Sequence, residues 1–138
     1  MKCLSYSWLC LLCCAGYESV GCYRDTSNRA IQPMEGKDVI LDGSYSSRRN
    51  PTAKCAVAAM RAGHSMFAVQ NGGWCAASAS APQTYDKYGK STACKFDGEG
   101  GPMANNVYFI KGKSNESYSL YSPLTRTRRC CPGERITC

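Results

Sequence analysis

Seven cysteines, Cys22, Cys55, Cys75, Cys94, Cys130, Cys131 and Cys138, follow a leader-like start in a chain with little else to hold it folded. Residues 1–15 place Lys2 ahead of Leu4, Trp8, Leu9, Leu11 and Leu12 and end in small residues. A charged start, a short apolar run and a cleavage pattern after Ala15 are the marks of a secretory signal. The run is too short to span a membrane, which takes about twenty apolar residues, and no later segment qualifies. Cleavage removes Cys3, Cys10, Cys13 and Cys14 with the leader. Cysteines in an oxidising compartment normally pair, and an odd number leaves one free or bonded to another chain.

The need for such staples is plain from the rest of the composition. From Gly16 onward only 15 of 123 residues are Leu, Ile, Val or Phe. Strongly charged chains below roughly a fifth in these residues are often disordered. This chain is moderately charged and rich in aromatics, so a small disulfide-supported domain is the better expectation. Residues 16–110 carry a net charge of +2 and residues 111–138 a net +4. A folded nucleic-acid face is therefore not expected, and the basic excess belongs to the tail.

Along the chain, "SVGCYRD" alternates apolar and polar residues and reads as a first strand. A short strand is expected at Val39–Leu41. "PTAKCAVAAMRAG" is the best helix, with Thr52 to cap it, alanines to favour it and Gly63 to end it. Cys55, Ala59 and Ala62 share one face of that helix at its spacing. "SMFAVQ", "WCAAS" and "NNVYFIKG" read as further strands, the first broken by Asn71-Gly72-Gly73. One helix among short strands predicts a small α+β domain with an antiparallel sheet. The domain is expected over 16–112, followed by a basic tail over 113–138. Asn115-Glu116-Ser117 in that tail is an N-glycosylation sequon.

Five pieces in order, "GCYRD" with "RAI", "AKCAVAAMRAG", "FAVQNGGWC", "YGKSTAC" and "GEGGPMANNVYFI", make the stretch from Gly21 to Ile110 resemble the WSC domain family of extracellular proteins. The resemblance implies a PAN/apple-like fold, one main helix packed on an antiparallel sheet, and carbohydrate binding. It also implies the pairings Cys22–Cys94 and Cys55–Cys75. The chain departs from the family in having fewer cysteines. Ala59 on the helix and Ala77 after Cys75 stand where the family has further ones, which makes this a four-cysteine variant.

The stretch Phe67–Ser78 carries both structural and functional expectations. Phe67 and Val69 should face the core, and Trp74 should pack over a Cys55–Cys75 bridge. Trp74 also has the flat apolar face and N–H donor that suit a sugar ring. Asn71, Tyr85, Asp86 and Tyr88 are the candidate polar and aromatic partners, Tyr85 and Tyr88 reading equally as strand-edge residues. Asp97 and Glu99 in "FDGEGG" are too few carboxylates for a calcium loop and are expected to form a structural turn. His64 is the lone histidine and follows Gly63 with no nucleophile pattern around it. No catalytic residue, metal site or cofactor is therefore expected.

In the tail, Arg126, Arg128 and Arg129 precede Cys130 as in a furin-type processing site. Adjacent cysteines rarely bond to each other. One of Cys130 and Cys131 is expected to pair with Cys138 and the other to link a disulfide-bonded dimer. The overall expectation is a secreted, non-catalytic module whose partners are glycans or extracellular glycoproteins. The alternatives are a matrix protein crosslinked through the tail, or a precursor cleaved after Arg129.

Overall fold

The computed structural model describes residues 16–111. The expected leader, the Asn115 sequon, the expected processing element at 126–129 and Cys130, Cys131 and Cys138 lie outside the described residues. The elements run β1 (Tyr17–Arg24), two 3₁₀ turns (Val39–Leu41 and Tyr45–Ser47), α1 (Pro51–Arg61), β2 (Met66–Gln70), β3 (Trp74–Ala77), a short α2 (Ala81–Thr84) and β4 (Ala104–Ile110). The strands form one antiparallel sheet in the order β1-β4-β2-β3. The protein is thus the small disulfide-stapled α+β domain that the element pattern predicts.

Each local choice has a chemical cause. Val39–Leu41 is a 3₁₀ turn rather than a strand, because the Asp38 carboxylate accepts the Ile40 N–H at 2.9 Å and curls the chain. In α1 the cap is not Thr52. Asn50 takes the N-cap position in the left-handed region, and Pro51 fills the first helical position, where a missing N–H costs nothing. The helix stops at Gly63, whose φ is +80°. There Gly63 N–H reaches Met60 O and His64 N–H reaches Ala59 O, which satisfies the last carbonyls. Cys55 and Ala59 are fully buried on α1, whereas Ala62, on the same expected face, is exposed beyond the last helical residue.

Strand β2 explains how so few large side chains suffice. All five of its residues are buried, because both of its faces are covered. Phe67 and Val69 point toward α1, with Met34, Leu41, Tyr108 and Ile110. Met66 and Ala68 point the other way, onto Tyr23, Ile31, Ala81 and Val107. Nine alanines are buried across the two layers, and such small residues let helix and loop lie close against the sheet. Tyr17, Phe67 and Tyr108 form one ring cluster, with Phe67 and Tyr108 stacked at 5.0 Å.

Cys22 pairs with Cys94 and Cys55 with Cys75. In the sheet, Cys22, Asn106, Val69 and Cys75 occupy one row across all four strands. Both covalent bonds therefore leave the same face, one at each edge of the sheet. A buried ion pair adds a third staple. The Arg48 side chain is 1 % exposed and grips both Glu35 oxygens at 2.8 Å. It also donates to the carbonyls of Gly73, at 2.6 Å, and Leu41. Glu35 in turn accepts the Cys75 N–H at 2.7 Å. The turn between β2 and β3 thereby becomes fixed to the preceding loop. Asn71 and Gly72 there take positive φ, as an Asn-Gly turn favours. A side chain at Gly73 would run into the Tyr45 carbonyl oxygen.

Candidate functional site

Successive strand residues face opposite sides, so Trp74 cannot share the side that Cys75 takes. It does not pack over the Cys55–Cys75 bridge. Its ring lies on the face away from α1, against the cluster of Tyr23, Ile31, Met66 and Ala81. There the pairing places Tyr23, Asn105, Gln70 and Trp74 in a single row across the sheet. Two amides sit in the middle of this row and one aromatic ring at each end.

The loop after β1 completes the site. Asp25, with no side-chain exposure, accepts the Ala30 N–H and the Arg29 guanidinium, each at 2.9 Å. The Gln70 amide donates to Asp25 at 2.8 Å and to Asn105 at 3.0 Å. The same Arg29 nitrogen reaches Gln70 Oε1 at 3.2 Å. The guanidinium so held lies 4.4 Å from the centre of the Trp74 ring, a cation–π contact. Asn105 Nδ2 is buried without a hydrogen-bond partner. The Arg29 side chain keeps 29 % of its surface exposed, so a fixed cation stands at the rim of this face.

Tyr85 and Tyr88 flank it. Tyr85 follows α2, not a strand edge, and sets its ring at right angles to Tyr23 at 4.9 Å. Tyr88 lies in the next turn and donates to Asn28 O at 2.6 Å, next to Arg29 in the chain. Lys87 Nζ stands 4.8 Å from the Tyr88 ring centre. The neighbouring Tyr23, slight burial and Asp86 push the Tyr85 hydroxyl up. The Thr26 hydrogen bond and Lys87 draw the Tyr88 hydroxyl down. Of the five residues expected at a site, Trp74 and Tyr85 pack on one cluster, and Tyr88 joins them through the loop bearing Arg29. Asp86 is exposed between the two tyrosines, and Asn71 is exposed on the turn before Trp74.

Asp25, Arg29, Gln70 and Asn105 were not expected. The signal for Gln70 was available, since a polar residue two positions from Ala68 must share its face. Asp25 and Arg29 were legible only as an acid–base pair four residues apart. Asp97 and Glu99 form a structural turn. Asp97 accepts the Glu99 N–H at 2.9 Å, and the loop is bolted down by Tyr108 O–H on Gly98 O and Gly72 N–H on Glu99 O. Among the described residues no group of three or more His, Cys, Asp or Glu is placed to hold a metal ion.

Burial alone would raise the Asp25 and Glu35 carboxyls. For Asp25 the Ala30, Arg29 and Gln70 hydrogen bonds outweigh it, and for Glu35 those of Arg48 and Cys75 do, so both stand below their ordinary values of 3.8 and 4.5. A depressed native carboxyl stabilises the fold above its ordinary value, and that share is lost as pH falls through the native value. Stability to urea is expected to be flat from pH 7 to 5 and to fall steeply below about pH 4. Asp25→Asn should be less stable at pH 7 but show a shallower acid decline. An acid slope unchanged in that variant would refute the assignment.

Together these features define a class: a small α+β domain held by two disulfides, with an aromatic and cationic face opposite its helix. Compared with known proteins, the chain matches no family model, no curated protein and no solved structure.

Proposed function

We propose that the protein is a secreted, non-catalytic, WSC-like module that binds glycans on its Trp74 face. The observation that supports this most is the Arg29 guanidinium held 4.4 Å over Trp74, beside Tyr85 and Tyr88. Aromatic rings offer apolar faces to sugar C–H groups, while fixed donors meet hydroxyls and carboxylates. Arg29 covers part of the indole, so Trp74 acts as the plate beneath the cation. Arg29, Tyr88 and the exposed Asp86 meet the ligand. A fixed cation favours acidic sugars over neutral ones. Two internal disulfides suit an extracellular setting, and no helix among the described residues is long and apolar enough to cross a membrane.

The test is a glycan array containing uronate-bearing, sialylated and neutral saccharides, followed by titration of any hit. Arg29→Ala and Tyr88→Ala are each expected to weaken binding by about tenfold or more, as loss of a central contact does, with the melting temperature recorded alongside. Absence of any saccharide binding, or binding indifferent to both substitutions, would remove this reading.

A further inference from the structure

On the α1 side of the molecule, an open groove of about 400 Å³ runs between Tyr17, Ile40, Pro51, Thr52, Lys54 and Glu99. Its walls are mainly apolar, with one base and one acid at the rim, and its size suits a small ligand or an inserted side chain. Three residues before Glu99 stands Phe96, the most exposed large hydrophobic residue among those described, at 111 %. It is not on a loose loop. Lys95 N–H closes onto Gly100 O at 3.1 Å, the Asp97 carboxylate caps Glu99, Tyr108 holds Gly98, and the Cys22–Cys94 bridge lies two residues away. A fully solvated aromatic on a braced turn has met the backbone part of the ordering cost of an interface anchor, and only its two side-chain torsions are left to fix.

We propose that Phe96 is a docking knob, and that its partner is the Tyr17–Lys54 groove of a second copy of this chain. Knob and groove are contiguous, since Glu99 belongs to both the braced turn and the groove wall. Contiguous complementary features can be exchanged across a two-fold axis, each knob entering the other copy's groove. The charges suit the same arrangement. Phe96 is flanked in sequence by Lys95 and Asp97, and the groove is lined by Glu99 and Lys54, so a two-fold docking can bring each sign to its opposite. Two inserted aromatics bury less than the roughly 1,200 Å² of a stable interface, so the dimer is a weak, concentration-dependent one. It would place two Trp74 faces on one particle and raise avidity for a repeating ligand.

Sedimentation equilibrium of the full secreted chain tests this, with non-reducing electrophoresis to score any disulfide-linked species separately. Reversible dimerisation is expected, with Phe96→Ser and Lys54→Glu each weakening it by at least about tenfold. Glu99→Lys should also weaken it, and the paired exchange Glu99→Lys with Lys95→Glu, which leaves the Asp97 cap in place, should restore it. Phe96 is wholly exposed, so its replacement should leave the melting temperature unchanged. A chain monomeric at every concentration, or a dimer that survives Phe96→Ser, would overturn the proposal. The result does not depend on whether a saccharide binds the opposite face.

Discussion

Replacing Arg48 by methionine is expected to lower stability by about 3–5 kcal/mol, the usual cost of breaking a buried ion pair from one side. For a domain of this size each kcal/mol shifts the melting temperature by about 4–8 °C, so a fall of at least roughly 12 °C should be seen. The reason lies in what the guanidinium holds. It joins both oxygens of Glu35 to the carbonyls of Gly73 and Leu41. Methionine fills the space but leaves the Glu35 carboxylate and two carbonyls without that donor. Glu35 is only 24 % exposed and still binds the Cys75 N–H, so it cannot turn freely into water. Arg48→Lys should recover little, because an ammonium cannot serve both carboxylate oxygens and two carbonyls in one plane. The double variant Glu35→Gln/Arg48→Met should be more stable than Arg48→Met alone, since no buried charge then remains and the amide oxygen still accepts the Cys75 N–H. Thermal and urea denaturation of the three variants settles it. A single variant within about 1 kcal/mol of the parent would mean the pair is as weak as an exposed one.

The contrast between Arg48 and the cysteines shows what the chain discloses before it folds. Strand and helix positions are legible where period and punctuation agree. The alanine-rich run between Pro51 and Gly63 and the apolar run before Asn71-Gly72 both became the elements expected of them. Arg48 was not legible, because it lies in a serine- and arginine-rich stretch that looks like solvated loop. Only the arrival of Glu35 and the β2–β3 turn makes that position interior. The same holds for the core as a whole. Counting Leu, Ile, Val and Phe understates it, since the buried alanines and the Tyr17 and Tyr108 rings packed with Phe67 supply packing that such a count ignores.

The site was half legible for a related reason. Trp74, Tyr85 and Tyr88 stand out as side-chain types, but their surroundings depend on parity along β3. One step of the strand moves Trp74 from the disulfide side to the Arg29 side. Local spacing also misplaced Thr52, because the cap was decided by Asn50 in the left-handed region and Pro51 behind it. Neither outcome is written in a window of a few residues.

The second large effect is expected from Cys22 and Cys94. Changing both to alanine opens a link across 72 residues of chain, which the chain-entropy account values at about 4–5 kcal/mol. Opening Cys55–Cys75, across 20 residues, should cost about 3 kcal/mol by the same account. The order follows from loop length alone, but the structure adds a reason why the local consequences differ. Cys22 lies in β1, which is paired along its length with β4, so the strand keeps its backbone bonds when the bridge is lost. The segment at the other end has fewer ties. Lys90 bridges Tyr23, and Ser91 N–H reaches Cys22 O, but Thr92 and Ala93 are exposed. Amide exchange should therefore accelerate first between Ser91 and Lys95 in the Cys22→Ala/Cys94→Ala variant, while β1 and β4 exchange only through global opening. Removing Cys55–Cys75 should instead loosen α1 against the sheet, since both partners are wholly buried in the main core. If the Cys22–Cys94 variant melts within a few degrees of the parent, the unfolded chain is already compact enough that closing this loop removes little entropy. If it melts far lower but exchange rises uniformly, the bridge acts on the unfolded chain alone and not on the local order of the turn that carries Phe96.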